Sequence, residues 1–176
     1  MKVVSLLLVV LFIFSSCGRM SEQELWTAAQ QNYEQQKFKE AIDSYRHIVE
    51  KFSESQNADS AQFLIAAIYN NELQDFHAAL AEYRRFTELY PTNPKVPKTM
   101  FLIGFIYNNQ LHNIDSAKLA YEAFLAKFPI DELAASAQME IQTLGKDPSE
   151  LIQPKLVIKE ETPKGKTKSG STKAKK

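Results

Sequence analysis

Residues 63–91 and 101–129 are two copies of one segment. FLIAAIYNNELQDFHAALAEYRRFTELYP stands over FLIGFIYNNQLHNIDSAKLAYEAFLAKFP at a shift of 38 with no gap, and twelve of 29 positions are identical. The same shift carries Phe76 back to Phe38, Ala79 to Ala41, Tyr83 to Tyr45 and Tyr90 to Phe52, so a third, more diverged copy precedes them. A unit this short cannot bury an apolar face alone, so the copies must stack on one another.

Each copy reads as two helices. Phe63, Ile65, Ala66, Ile68, Tyr69 and Leu73 recur at helical spacing, and so do Phe76, Ala79, Leu80, Tyr83, Phe86 and Tyr90. Asn70–Asp75 between them is polar and turn-prone, and Pro91, Pro94 and Pro97 break the chain before the next copy. Ala-x-x-x-Tyr appears three times, as Ala41/Tyr45, Ala79/Tyr83 and Ala117/Tyr121. The small residue allows close helix approach, and the ring one turn later fills the groove beside it. Asp131–Leu144 reads as one more helix, with Asp131 as N-cap and Gly145 as C-cap. The expected fold is all-α: a solenoid of three helix pairs plus a C-terminal capping helix. Few glycines, 5 in 176 residues, and 11 Phe with 7 Tyr suit helices packed through rings.

This pattern resembles the tetratricopeptide repeat. That family's Ala followed four residues later by an aromatic is present in every copy. Its Leu-Gly-x-x-Tyr element stands as Ile103-Gly104-Phe105-Ile106-Tyr107 and as Ile65-Ala66-Ala67-Ile68-Tyr69, and its closing Pro as Pro91 and Pro129. The first copy has Ser53 in place of that Pro. The period exceeds the family's usual length of about 34, with the extra residues expected in the loops. The resemblance implies that the first helix of each pair lines a concave, partner-binding face. Carried over, that groove comprises Trp26, Gln30 and Tyr33, then Phe63, Ala67, Asn70 and Asn71, then Phe101, Phe105, Asn108 and Asn109. Rings at the floor and amides at the rim suit an extended peptide or a partner helix, because an Asn amide can pair with both backbone N–H and C=O. Plainer roles stand beside this one: Phe63 and Phe101 packing between helices, and the Asn pair ending one.

The N-terminus has a second signature. Met1-Lys2 is followed by an apolar run from Val3 to Phe14, broken only by Ser5. It is too short for a hydrocarbon layer of ~30 Å and fits the apolar core of a secretory signal. Ser15, Ser16, Cys17 and Gly18 then resemble a bacterial lipobox, with Phe14 where Leu is usual. The resemblance implies residues 1–16 as signal peptide, Cys17 as the lipidated residue and 17–20 as a linker. Each buried acyl CH₂ contributes ~0.8 kcal/mol to such an anchor. The absence of Asp after the cysteine favours the outer membrane over the inner. An ordinary signal peptide, with Cys17 incidental, is the alternative.

Lipobox and elongated repeats together resemble the BamD-like outer-membrane assembly lipoproteins. Tyr90-Pro91-Thr92-Asn93-Pro94 followed by Phe101-Leu102-Ile103-Gly104 carry the likeness. Those proteins usually have more repeats than this chain. The resemblance implies a membrane-anchored protein-binding scaffold on the periplasmic side of the outer membrane. Two alternatives remain: a Tol-Pal-like division and envelope factor, and a structural tether between membrane and cell wall.

The repeat domain is expected over 21–145 and a disordered tail over 146–176. From Pro163 onward there are six lysines and no acid, so the neutral total hides a basic end. Such a tail is solvated or attracted to anionic lipid or polymer, at ~1 kcal/mol per lysine near an acidic membrane. Nucleic acid is not expected as a partner of an exported chain. Leu156-Val157-Ile158 is the tail's only apolar run. Cys17 is the only cysteine, which excludes an internal disulfide and a cysteine-based zinc site. His47, His77 and His112 occupy different repeat positions without metal-ligand spacing and are expected at the surface. No phosphate loop or nucleophile motif is present. No cofactor and no catalysis are expected.

Overall fold

The structure, a computed structural model, describes residues 20–146. The signal segment, Cys17 and the tail beyond Lys146, with Leu156-Val157-Ile158, lie outside the described residues. Among those described, seven helices follow one another and no strand occurs. They are α1 (Glu22–Glu34), α2 (Phe38–Lys51), α3 (Ala58–Asn71), α4 (Phe76–Leu89), α5 (Val96–Asn109), α6 (Ile114–Lys127) and α7 (Ala134–Thr143). Each packs on the next in sequence, as a stack of tetratricopeptide-type pairs requires. The first helices of the pairs (A helices) are α1, α3 and α5; the second (B helices) are α2, α4 and α6.

Local chemistry repeats with the sequence. α1 opens on a capping box: Ser21 Oγ accepts from Glu24 N at 3.3 Å, and Glu24 Oε2 accepts from Ser21 N at 2.7 Å. Asp75 and Asn113, one period apart, cap α4 and α6, each accepting at 3.0 Å from Ala78 N and Ser116 N. Lys37 holds that place before α2 and offers no side-chain cap. Inside each pair the turn passes through a left-handed residue: Gln36 (φ 60°), Gln74 (φ 51°) and His112 (φ 49°). No glycine marks these positions, which are spaced by 38. The first turn is one residue shorter than the others, three residues against four. Consequently α1 aligns with α3 at a shift of 37, whereas the B helices repeat at 38.

Between pairs the same connection recurs three times. Ser55, Asn93 and Asp131 donate their backbone N–H to the C=O of Phe52, Tyr90 and Phe128. Their own carbonyls then accept from Ala58, Val96 and Ala134, the first residues of α3, α5 and α7. Asp131 therefore does not cap the last helix. Its Oδ1 accepts from Leu133 N at 2.9 Å within a turn, and α7 begins three residues later than expected. α7 is thus the A helix of an incomplete fourth repeat. Gly145 lies just beyond its end with φ +71°, as a helix-terminating glycine does. Pro97 is also placed differently from the expectation. It sits in the first turn of α5, where a missing N–H costs nothing, rather than in the break. Asn70 and Asn71 form the last turn of α3 rather than a loop.

The core follows the Ala-x-x-x-Tyr register. Ala41, Ala79 and Ala117 are wholly buried, and Tyr45, Tyr83 and Tyr121 nearly so. One A-helix ring meets each tyrosine: Trp26 on Tyr45 at 5.3 Å, Phe63 on Tyr83 at 5.6 Å and Phe101 on Tyr121 at 5.3 Å. Phe86 and Phe124 add second rings at 5.6 and 6.1 Å. Each fully buried ring or branched chain contributes roughly 1.5–3 kcal/mol. Gly104 lets the third pair close, since a Cβ there would stand 2.7 Å from Cδ1 and Cε1 of Tyr121.

Candidate protein-binding face

The A helices bring the groove residues onto common faces. Trp26, Gln30 and Tyr33 are spaced i, i+4, i+7. Phe63, Ala67, Asn70 and Asn71 extend this to i+8, as do Phe101, Phe105, Asn108 and Asn109. Their depths differ. Trp26, Phe63 and Phe101 are half-buried and spend their rings on the tyrosines of their own pairs. Lys95 Nζ covers the Phe63 ring at 5.4 Å. Gln30, Tyr33, Asn71, Phe105 and Asn109 are exposed, and Ala67, Asn70 and Asn108 are intermediate.

At the junction of α1 and α3 lies a cleft of about 200 Å³, lined by Tyr33, Tyr45, Leu64, Ala67, Ile68, Asn71 and Glu72. Three of these, Tyr33, Ala67 and Asn71, were expected in the groove. Leu64, Ala67 and Ile68 give it apolar lining, and Tyr33, Asn71 and Glu72 bring polar groups. Tyr33 Oη donates to Glu72 Oε1 at 2.7 Å, which together with partial burial raises the phenol's pKa. The Tyr33 ring rests edge-on against Phe38 at 5.6 Å. Glu72 was not legible from the repeat, because Gln110 replaces it in the next copy.

Asn70 Nδ2 donates to Asn71 Oδ1 at 2.7 Å, while Asn70 Oδ1 is buried without a partner among the described residues. Asn108 Nδ2 reaches Glu140 on α7 at 3.2 Å, and Asn109 Nδ2 donates to the Phe105 carbonyl at 3.2 Å. Tyr33, Asn70 and Asn108 share one repeat position once the shorter first turn is counted. Two of them tie an A helix to the next repeat. Phe105, 38% exposed, stands one turn before Asn109.

His47, His77 and His112 are exposed, on α2, on α4 and in the turn before α6. Among the described residues no helix is long and apolar enough to cross a membrane.

A family of outer membrane lipoproteins, YfiO, matches residues 18–147. The chain belongs to this family. The match takes in all seven helices, so the repeat stack itself is what the YfiO lipoproteins share with this chain. It opens at Gly18, directly after Cys17. Membership assigns the chain to the cell envelope. No curated protein matches the sequence.

Proposed function

We propose that the chain is a lipid-anchored scaffold on the periplasmic side of the outer membrane, which holds a segment of another envelope protein along its A-helix face and catalyses nothing. The observation that carries this is the run of exposed groups across α1, α3 and α5, within a family of outer membrane lipoproteins. Tyr33 and Asn71 line the Tyr33–Glu72 cleft, and Phe105 and Asn109 are exposed on α5. Side-chain amides on an apolar floor pair with peptide backbone in either sense while the floor takes side chains. Lipid on Cys17 would keep the face near the membrane where such partners emerge. Assembly of outer-membrane proteins is the role this reading favours.

The test places a photoreactive amino acid at Asn71 and at Phe105 in cells, with His77 on α4 as the control. Crosslinks to an outer-membrane assembly factor from 71 and 105, and not from 77, support the reading. Crosslinks to division or wall-synthesis proteins would move the chain to the Tol-Pal-like alternative. Equal labelling at all three positions would remove the face from the argument.

A further inference from the structure

The opposite, B-helix side of the stack carries a second feature. Between α4 and α6, floored by α5, lies a cleft of about 360 Å³ whose lining includes Arg84, Met100, Tyr107, Leu119, Ala120 and Ala123. The preceding junction, between α2 and α4 over α3, is the same site one period earlier, and there it is filled. Glu82 fills it: its Oε1 accepts from Arg46 Nη2 at 2.8 Å and its Oε2 from Gln62 Nε2 at 2.8 Å. The Glu82 side chain is only 12% exposed. Shifted by 38, Arg46 becomes Arg84, Gln62 becomes Met100 and Glu82 becomes Ala120. The arginine is kept and its carboxylate is gone. Arg84 keeps only the tyrosine: it lies over the Tyr107 ring at 5.6 Å and donates to its hydroxyl, a neutral partner whose counterpart Tyr69 also faces Arg46. The ion pairs among the described residues are Arg46–Glu82 and Lys118–Glu122, and neither involves Arg84. Beside the vacated place Leu119 is 67% exposed.

We infer that this cleft binds a segment of a second protein that supplies what Ala120 removed: one carboxylate for Arg84, with a branched or aromatic apolar side chain beside it to cover Leu119 and Ala123. Charge complementarity decides the occupant's chemistry. The first junction shows that a carboxylate at this place satisfies an arginine at this position, and an apolar wall beside a lone cation selects a ligand carrying both groups. The site lies on the B helices, so it stands whether or not the A-helix face binds anything.

The experiment uses the full chain in mild detergent and a displayed library of random linear peptides. Recovered peptides should carry Asp or Glu next to Leu, Ile or Phe. Their affinity, read by fluorescence anisotropy, should fall at least tenfold for Arg84→Gln. It should fall equally for Ala120→Glu, which places the chain's own carboxylate in the cleft as Glu82 does in the first junction. A melting curve of Ala120→Glu no lower than the parent's shows that this variant is folded; if it is lower, Arg84→Gln alone decides. Asn71→Ala on the A-helix face should leave the affinity unchanged. Recovered peptides without acids, no enrichment, or undiminished binding to Arg84→Gln would overturn the inference. So would loss of binding on Asn71→Ala. A dimer in sedimentation that Leu119→Asp dissolves would assign the cleft to a second copy of this chain and overturn it equally.

Discussion

Gly104→Ala tests the closest contact in the stack. Alanine is the better helix former by ~1 kcal/mol, so on propensity alone the change stabilises α5. The structure opposes this. The added Cβ would meet Tyr121 Cδ1 and Cε1 at 2.7 Å and Cγ at 3.0 Å. The ring cannot step aside, because Tyr121 is fully buried and held by Phe101. Overpacking of this kind costs ~1–3 kcal/mol. The net expectation is a loss of about 1 kcal/mol, or about 3–6 °C in Tm for a domain of this size. Ala66 holds the equivalent place one repeat earlier, facing Tyr83, so a methyl group is no bar to the repeat itself. What it strikes at 104 is this placement of the ring. Removing the ring should therefore reverse the sign: in a Tyr121→Leu background, Gly104→Ala should raise stability. The assay is a four-variant cycle of denaturant unfolding followed by circular dichroism. Equal effects of Gly104→Ala with and without the ring would refute the argument, as would a rise in stability in the parent chain.

Four other outcomes are expected. Burial pushes the Tyr83 phenol up to about 12, and burial also raises Tyr45 and Tyr121. The folded state favours the neutral phenol. Stability is therefore complete below the unfolded value near 10 and is lost as pH rises through about 12, by about 2–3 kcal/mol for Tyr83. Alkaline unfolding curves should show this, and Tyr83→Phe should flatten them. Glu82→Ala should cost about 1–2 kcal/mol in a melt, because it removes the carboxylate of the partly buried Arg46 and one of the two acceptors of Gln62 Nε2, leaving only the residue 82 carbonyl at 3.1 Å; a loss under 0.5 kcal/mol, on the order of an ordinary surface change, would contradict it. Asp75→Ala and Asn113→Ala should each lose ~1 kcal/mol of cap, and Lys37→Asp should gain a similar amount by capping α2 as its counterparts are capped. Radiolabelled palmitate should enter the parent chain and not Cys17→Ser; equal labelling of both would remove the proposed anchor while leaving the repeat stack intact.

The register of the B helices was legible because their signals are redundant. Phe38, Phe76 and Ile114 open them at one spacing, and buried Ala and Tyr follow at fixed offsets. Helix starts after the inter-pair loops were not. Asp131 looks like an N-cap because Asp is a good one, but here it closes a turn that Ser55 and Asn93 also close, and the helix waits three residues. Read across all three copies, that turn could have been found. The left-handed residues could not. Gln36, Gln74 and His112 carry no local mark of a positive φ, and the carbonyl contacts around the turn hold them there. The one-residue deletion in the first turn was equally hidden, since it separates two helices whose own patterns are intact.

The candidate site was legible in part, and for a related reason. Helical spacing places Trp26, Phe63 and Phe101 on the A-helix face, yet spacing cannot say how deep a ring sinks. That depends on Tyr45, Tyr83 and Tyr121, about 20 residues further on, and on whether the ring between them and solvent is large enough to be held. Position in a repeat also treats equivalent residues as having equivalent roles, whereas the two B-helix junctions differ where Ala120 replaces Glu82 and Met100 replaces Gln62. Arg46 and Arg84 are the same residue in the same register. One is neutralised by Glu82 and the other faces Ala120. The carboxylate and its partners come from three helices, so the difference has meaning only once α2, α3 and α4 are packed together. A repeat therefore announces its fold through what the copies share, while the surface able to select a partner lies where one copy has lost what its neighbour keeps.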